Sequence, residues 1–194
     1  MISRKQCIFL IGMMGSGKTT IGEIVAERLA RKFFNLDGDI EYSAGKSISA
    51  IFAEDGEAHF RQMESELLTE MSQTERAVVA CGGGIILRKG NRRIMRESGT
   101  VFFLDVPLET LARRLNGVND RPLLSNPGGN ESSLSIIWQE REEFYHQTAH
   151  ITIDASLPPQ SCADAILRLK LPGITAQQLA FVATKSAEIA AERL

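Results

Sequence analysis

Five short apolar runs punctuate the chain: Cys7–Ile11, Phe33–Asp37, Ala77–Cys81, Thr100–Asp105 and His150–Asp154. They are largely continuous rather than alternating, the pattern of strands buried on both faces of a parallel sheet. Between them, apolar positions recur at helical spacing. Thr20–Arg31 carries Ile21, Ile24, Val25 and Leu29 on one face. Ile48–Ser72 carries Ile48, Ile51, Phe52, Phe60, Met63, Leu67, Leu68 and Met71, and Gly56 divides it into two helices. Glu109–Leu115, Leu134–Gln147 and Pro159–Leu169 complete the series. Alternating strands and helices predict a three-layer α/β domain with right-handed crossovers. The polar stretch Asn116–Ser133 reads as a long loop, functional or disordered. Pro172-Gly173 ends the last core helix. Thr175–Leu194 reads as one more helix, with Ala176, Ala180, Ala183, Ala187 and Ala190 forming a small-residue stripe.

Composition narrows the function classes. The 194 residues suit one domain, or one domain with an appendage. Lys+Arg (22) nearly balances Asp+Glu (24), and the net charge of −2 argues against broad electrostatic binding to nucleic acid or an anionic membrane. A local basic pocket remains open. No segment approaches the ~18–20 apolar residues of a membrane helix. The first residues lack the apolar core and cleavage site of a secretory signal. Cys7, Cys81 and Cys162 form neither a zinc spacing nor a disulfide framework, which points to a reducing, cytoplasmic setting. Cys81 reads as a buried structural thiol. His59 and His146 read as exposed helix residues and His150 as a strand edge; none has metal-ligand spacing. Asn91-Arg92-Arg93 reads as a solvated face.

The chemistry begins at Gly12-Met-Met-Gly15-Ser16-Gly17-Lys18-Thr19, which fits G-x-x-x-x-G-K-[ST] at every fixed position. A buried strand precedes it and an amphipathic helix follows, as a phosphate loop requires. Glycines turn the backbone so that successive N–H groups face phosphate oxygens, and the helix N-terminus adds its positive dipole end. Lys18 would reach the β- and γ-phosphates, and Thr19 would ligate Mg²⁺. The chain therefore reads as a binder of a purine nucleoside triphosphate with Mg²⁺.

Candidate acceptor residues follow. Asp37-Gly38-Asp39 is expected at the carboxyl end of the second strand, where ligands lie in open parallel sheets. There Asp37 could approach Mg²⁺ through water and Asp39 could take a hydroxyl proton. The same triplet is also good turn and helix-cap chemistry. Gly82-Gly83-Gly84 leaves room for a ligand against bare backbone, or forms a flexible turn. Arg61 and Arg141 are solvated arginines unless the fold joins them; joined, they would grip a carboxylate or phosphate. Arg121, within the polar loop, suits charge stabilisation after lid closure.

Taken in order, these segments resemble the shikimate kinase family. The resemblance runs from about Lys5 to Leu171. It rests on the phosphate loop, Leu36-Asp37-Gly38-Asp39-Ile40-Glu41, Ile51-Phe52 to Glu57 with Phe60-Arg61 and Glu64, Gly82-Gly83-Gly84, Arg121-Pro122-Leu123-Leu124, and Arg141 with Tyr145. It implies an α/β, three-layer P-loop fold like that of nucleoside-monophosphate kinases, with a five-stranded parallel sheet and a mobile lid at about 116–133. It also implies a job for each matching residue. Gly15, Ser16, Gly17, Lys18, Thr19 and Thr20 would hold ATP; Thr19, and Asp37 through water, would hold Mg²⁺. Asp39 would bind the shikimate hydroxyls and help activate the 3-hydroxyl. Arg61 and Arg141 would clamp the carboxylate beside Gly82, Gly83 and Gly84. Arg121 would swing onto the phosphates, with Lys18 and Asp39 as its catalytic companions. Arg114 and the loop ending at Pro159 would flank the adenine. Two other readings are a related small-molecule kinase such as a gluconate kinase, and a non-catalytic nucleotide-binding module that regulates a partner. Residues 1–172 would form the kinase domain and 173–194 a helical extension. That extension is expected to pack on the domain of a monomer, or on a second copy as a weak dimer; disorder is the alternative.

Overall fold

The structure, a computed structural model, describes residues 7–115 and 129–170, with 129–132 and 170 described by backbone alone. Strand β1 (Cys7–Ile11) is fully buried along its length. It lies at the centre of a five-stranded parallel sheet with β2 (Phe33–Asn35), β3 (Val78–Ala80), β4 (Gly99–Asp105) and β5 (Ile151–Asp154), in the order β2-β3-β1-β4-β5. Register aligns Leu10 with Ala80 on one side and with Phe102 on the other. The chain therefore leaves β1 and β3 side by side at one sheet edge. From β1 it turns toward β2, and from β3 it crosses to β4. Right-handed crossovers then send the following helices to opposite faces, which opens a crevice between the ends of β1 and β3. Helices α1 (Lys18–Arg28) and α8 (Pro159–Lys170) pack together on one face. On the other lie α4 (Gly56–Gln73), α5 (Lys89–Ser98) and α7 (Gly129–Thr148); α2 (Leu36–Ala44), α3 (Ile48–Glu54) and α6 (Leu108–Leu115) fill the connections.

The α/β class and all five strands agree with the apolar runs; the end of β2 and the start of α7 differ, and one helix is additional. Strand β2 stops at Asn35, so Asp37 and Asp39 occupy the first turn of α2 instead of a strand end. Leu36 and Ile40, one turn apart and both fully buried, fix that turn, and carboxylates at a helix N-terminus are favoured by its dipole. Helix α7 begins at Gly129, so the last residues of the expected loop 116–133 are helical. Helix α5 has no counterpart in the apolar pattern because only Asn91 and Met95 are buried along it. Its arginines are not a solvated face. Arg92 donates to the carbonyls of Ile86 and Leu87 and lies over the Phe144 ring, and Asn91 donates to the Ile85 carbonyl. Arg96 caps α7 through the carbonyls of Gln147, Thr148 and Ala149. Arg93 is exposed and pairs only with Glu97 among the described residues. His59 and His146 are exposed on helices, and the His150 Nδ1 accepts from the Val101 amide at the start of β5. The remainder of the expected lid, with Arg121, and the expected C-terminal helix lie outside the described residues.

Gly99 shows how tightly the central pair is packed. A Cβ there would press on the Cys7 carbonyl, 2.8 Å from its carbon, and lie 2.9 Å from the Phe9 ring. Gly90, in the first turn of α5, faces open space. Gly99→Ala should therefore destabilise the protein by about 1–3 kcal/mol. Gly90→Ala should stabilise it by about 0.5 kcal/mol. Thermal or urea melts of both variants check this pair of opposite signs.

Candidate active site

The loop from Gly12 to Lys18 leaves β1 at the crevice. Gly12, Gly15 and Gly17 have φ of 148°, 79° and 90°, values that side chains rarely adopt. Gly17 caps α1 with no side-chain hydrogen bond, so the first amides of the helix keep their donors for a ligand. The Lys18 Nζ folds back into the loop and donates to the Gly12 and Met13 carbonyls at 3.0 and 2.8 Å. Ser16 is buried beneath it, while Thr19 and Thr20 are exposed at the mouth. Arg114 ties this loop to the segment that leads into α8: its guanidinium donates to the Gly15 carbonyl at 3.2 Å and to the Ala155 carbonyl at 3.0 Å. Pro159 opens α8 beyond that segment.

Across the crevice, Gly82-Gly83-Gly84 follows β3, and charged side chains crowd against it. A Cβ at Gly82 would lie 2.5 Å from Glu64 Oε1 and 2.6 Å from Asp37 Oδ1. One at Gly84 would strike the Arg61 guanidinium, 2.6 Å from its Cζ. One at Gly83 would meet the Gly12 carbonyl and the Met14 amide nitrogen, each at 3.6 Å, and Arg141 Nη1 at 3.7 Å. The triplet thus touches the phosphate loop on one side and both arginines on the other. The fold joins Arg61, Arg141, Asp37 and the three glycines, as the sequence requires for an anion-binding pocket.

Neither arginine is a surface residue: Arg61 is 7% exposed and Arg141 4%. Arg61 is held by Glu64 at 2.9 Å and by Glu57 at 3.0 Å, and its guanidinium lies 5.1 Å from the Phe60 ring centroid. Phe52 packs on Phe60 with ring centroids 5.0 Å apart. Burial pushes the Glu64 carboxyl up to about 7, against the pull of Arg61. Burial also raises Asp39, which the Asn35 amide opposes by hydrogen bonding. Asp39 Oδ2, Glu64 Oε1 and Arg141 Nε are buried and have no hydrogen-bond partner. Leaving a buried polar atom unpaired costs about 1–3 kcal/mol, so Glu64 and Arg141 beside the glycine triplet suit a polar ligand that pairs them, and Asp39 keeps an open acceptor in the first turn of α2. Cys81, beside the triplet, is buried with its thiol driven strongly upward by desolvation, which makes it an inert structural residue.

Glu64 and Tyr145 carry no assignment in the sequence reading, yet both belong here. Each follows an arginine at helical spacing, Glu64 three residues after Arg61 and Tyr145 four after Arg141, which places each pair on one helix face. Among the described residues no three His, Cys, Asp or Glu side chains gather as a metal cage. The donors present, the Thr19 hydroxyl and Asp37 across the crevice, fit a Mg²⁺ ion that keeps most of its ligands from phosphate and water.

The model of the shikimate kinase family matches residues 14–170. A shikimate kinase of Synechococcus elongatus is 44% identical over 163 residues, covering 84% of this chain and 85% of that protein. The shikimate kinase of Acinetobacter baumannii, solved in complex with shikimate, superposes with a TM-score of 0.82 at 36% identity, covering 86% of this chain and 93% of that one. A gluconokinase from Sinorhizobium meliloti is 17% identical with a TM-score of 0.50, a likeness of fold alone. With its phosphate loop and its buried arginine pair in place, the chain belongs to the shikimate kinase family.

Proposed function

We infer that this chain transfers the γ-phosphoryl group of ATP to the 3-hydroxyl of shikimate, giving ADP and shikimate 3-phosphate, a step toward the aromatic amino acids. The observation that carries this is the pair of buried arginines, Arg61 and Arg141, against a bare glycine triplet that abuts the phosphate loop. Two guanidinium forks and an acceptor such as Asp39 suit a ligand with one carboxylate and three hydroxyls.

The phosphate loop binds ATP through its amides, Ser16 and Lys18, with Thr20 at its mouth and with Arg114 and Pro159 at the adenine. Lys18 must leave the Gly12 and Met13 carbonyls to reach the phosphates, and that exchange supplies charge where the γ-phosphoryl departs. Arg61 and Arg141, with Gly82, Gly83 and Gly84, fix the acceptor by its carboxylate. In this reading Asp39 serves the hydroxyl end, where a carboxylate shifted upward by burial is better matched to accepting the proton. Thr19, and Asp37 through water, would hold Mg²⁺, which supplies charge neutralisation between the β- and γ-phosphates. Arg121 would complete the charge stabilisation from the lid. Three buried free cysteines suit a reducing cytoplasm.

An ADP-release assay with shikimate, gluconate and a nucleoside monophosphate tests the reading. Turnover should require shikimate; ATP consumption that ignores it would overturn the assignment. Asp39→Asn should lower kcat by about 10²–10⁴ while leaving nucleotide affinity near that of the parent. Steady-state kinetics with a separate nucleotide titration measure both, and an unchanged kcat would remove Asp39 from the proton transfer.

A further inference from the structure

Tyr145 reaches both halves of the site. Its ring is fully buried and stacks on Phe103 of β4, with centroids 5.1 Å apart and planes within 1°. Its hydroxyl donates to the Gly83 carbonyl at 2.5 Å and lies 3.9 Å from the sulfur of Met13 in the phosphate loop. The Arg141 guanidinium, one helical turn earlier, interacts with the same oxygen. A phenol can accept from a guanidinium while donating to a carbonyl, so Arg141, Tyr145 and Gly83 form one directed chain. The Gly83 carbonyl and the Gly84 amide share a trans peptide. Holding the carbonyl toward α7 therefore aims the Gly84 N–H the opposite way, out of the α7 contact.

We propose that Tyr145 is a positioning residue for phosphoryl transfer: its hydroxyl sets the angle of the Gly83–Gly84 peptide and the seat of Arg141, and so the place of the acceptor carboxylate against the phosphate loop. Tyr145 touches neither reacting atom. This rests on the acceptor reading above, and the two fail separately: a parent enzyme that ignores shikimate refutes that reading, whereas an active parent equalled by its variant refutes this one.

Tyr145→Phe removes the hydroxyl and keeps the ring. The shikimate KM should rise about tenfold and kcat should fall, with the ATP KM unchanged. Thr148→Val is the comparison, since among the described residues the Thr148 hydroxyl bonds to the Phe144 carbonyl one turn away and to nothing in the site. It should leave the shikimate KM alone whatever it does to the melting temperature. Parent-like kinetics in Tyr145→Phe would overturn the proposal, as would KM changes that track melting temperature in both variants. A second measurement needs no change at Tyr145. The chain has two tyrosines and Tyr42 is 91% exposed, so fluorotyrosine incorporated into Tyr42→Phe reports on Tyr145 alone. Its ¹⁹F resonance should shift on saturation with shikimate; a resonance that stays put would contradict the coupling.

Discussion

At two of the three glycines that follow β3 a side chain has no room, and the site depends on that. At Gly82 the space a Cβ needs is held by oxygens of Glu64 and Asp37, and at Gly84 by the Arg61 guanidinium. Gly83 sits between the phosphate loop and Arg141. Bare backbone at this point lets four charged side chains from α2, α4 and α7 approach one turn of chain. Because β3 is hydrogen-bonded beside β1, that turn lies next to the phosphate loop. Donor and acceptor halves are thus brought together by strand order, before any ligand arrives.

The arrangement is not the most stable one available. A buried ion pair such as Arg61–Glu64 gains little over well-packed apolar groups, because taking both charges out of water costs nearly what their attraction returns. Unpaired atoms on Asp39, Glu64 and Arg141 add to that cost. What the fold gains is preorganisation: guanidinium groups already oriented, in a pocket of low polarisability, stabilise an anion without reorganising first. The overall charge of −2 conceals this, since it says nothing of the buried arginines that face the glycine triplet.

Most of this was legible in the sequence where one local rule sufficed. Continuous apolar runs reported strands buried on both faces, and the phosphate loop was readable because its glycines stand between such a strand and a helix. Residues governed by tertiary context were harder. Asp37 and Asp39 looked like a strand end because Phe33 and Phe34 precede them, yet the buried pair Leu36 and Ile40 starts a helix at once. Helix α5 was invisible because it buries two residues and spends its arginines on backbone carbonyls of other elements. Arg61 and Arg141 were recognisable as a pair only through the resemblance, since nothing local distinguishes a buried arginine from a solvated one. Glu64 and Tyr145 took their roles from partners far along the chain.

The glycine triplet offers the most direct test. Gly84 has φ of −97°, a value any residue adopts, so Gly84→Ala adds a methyl group without backbone strain. The methyl must displace the Arg61 guanidinium, which Glu57 and Glu64 hold in place. Calorimetric titration of this variant with shikimate, and separately with ATP, is the decisive measurement. Shikimate affinity should fall by about 10²-fold while ATP affinity stays near that of the parent, and the melting temperature should drop as the buried Arg61–Glu64 pair is disturbed. Parent-like shikimate affinity would show that the acceptor does not depend on bare backbone beside Arg61.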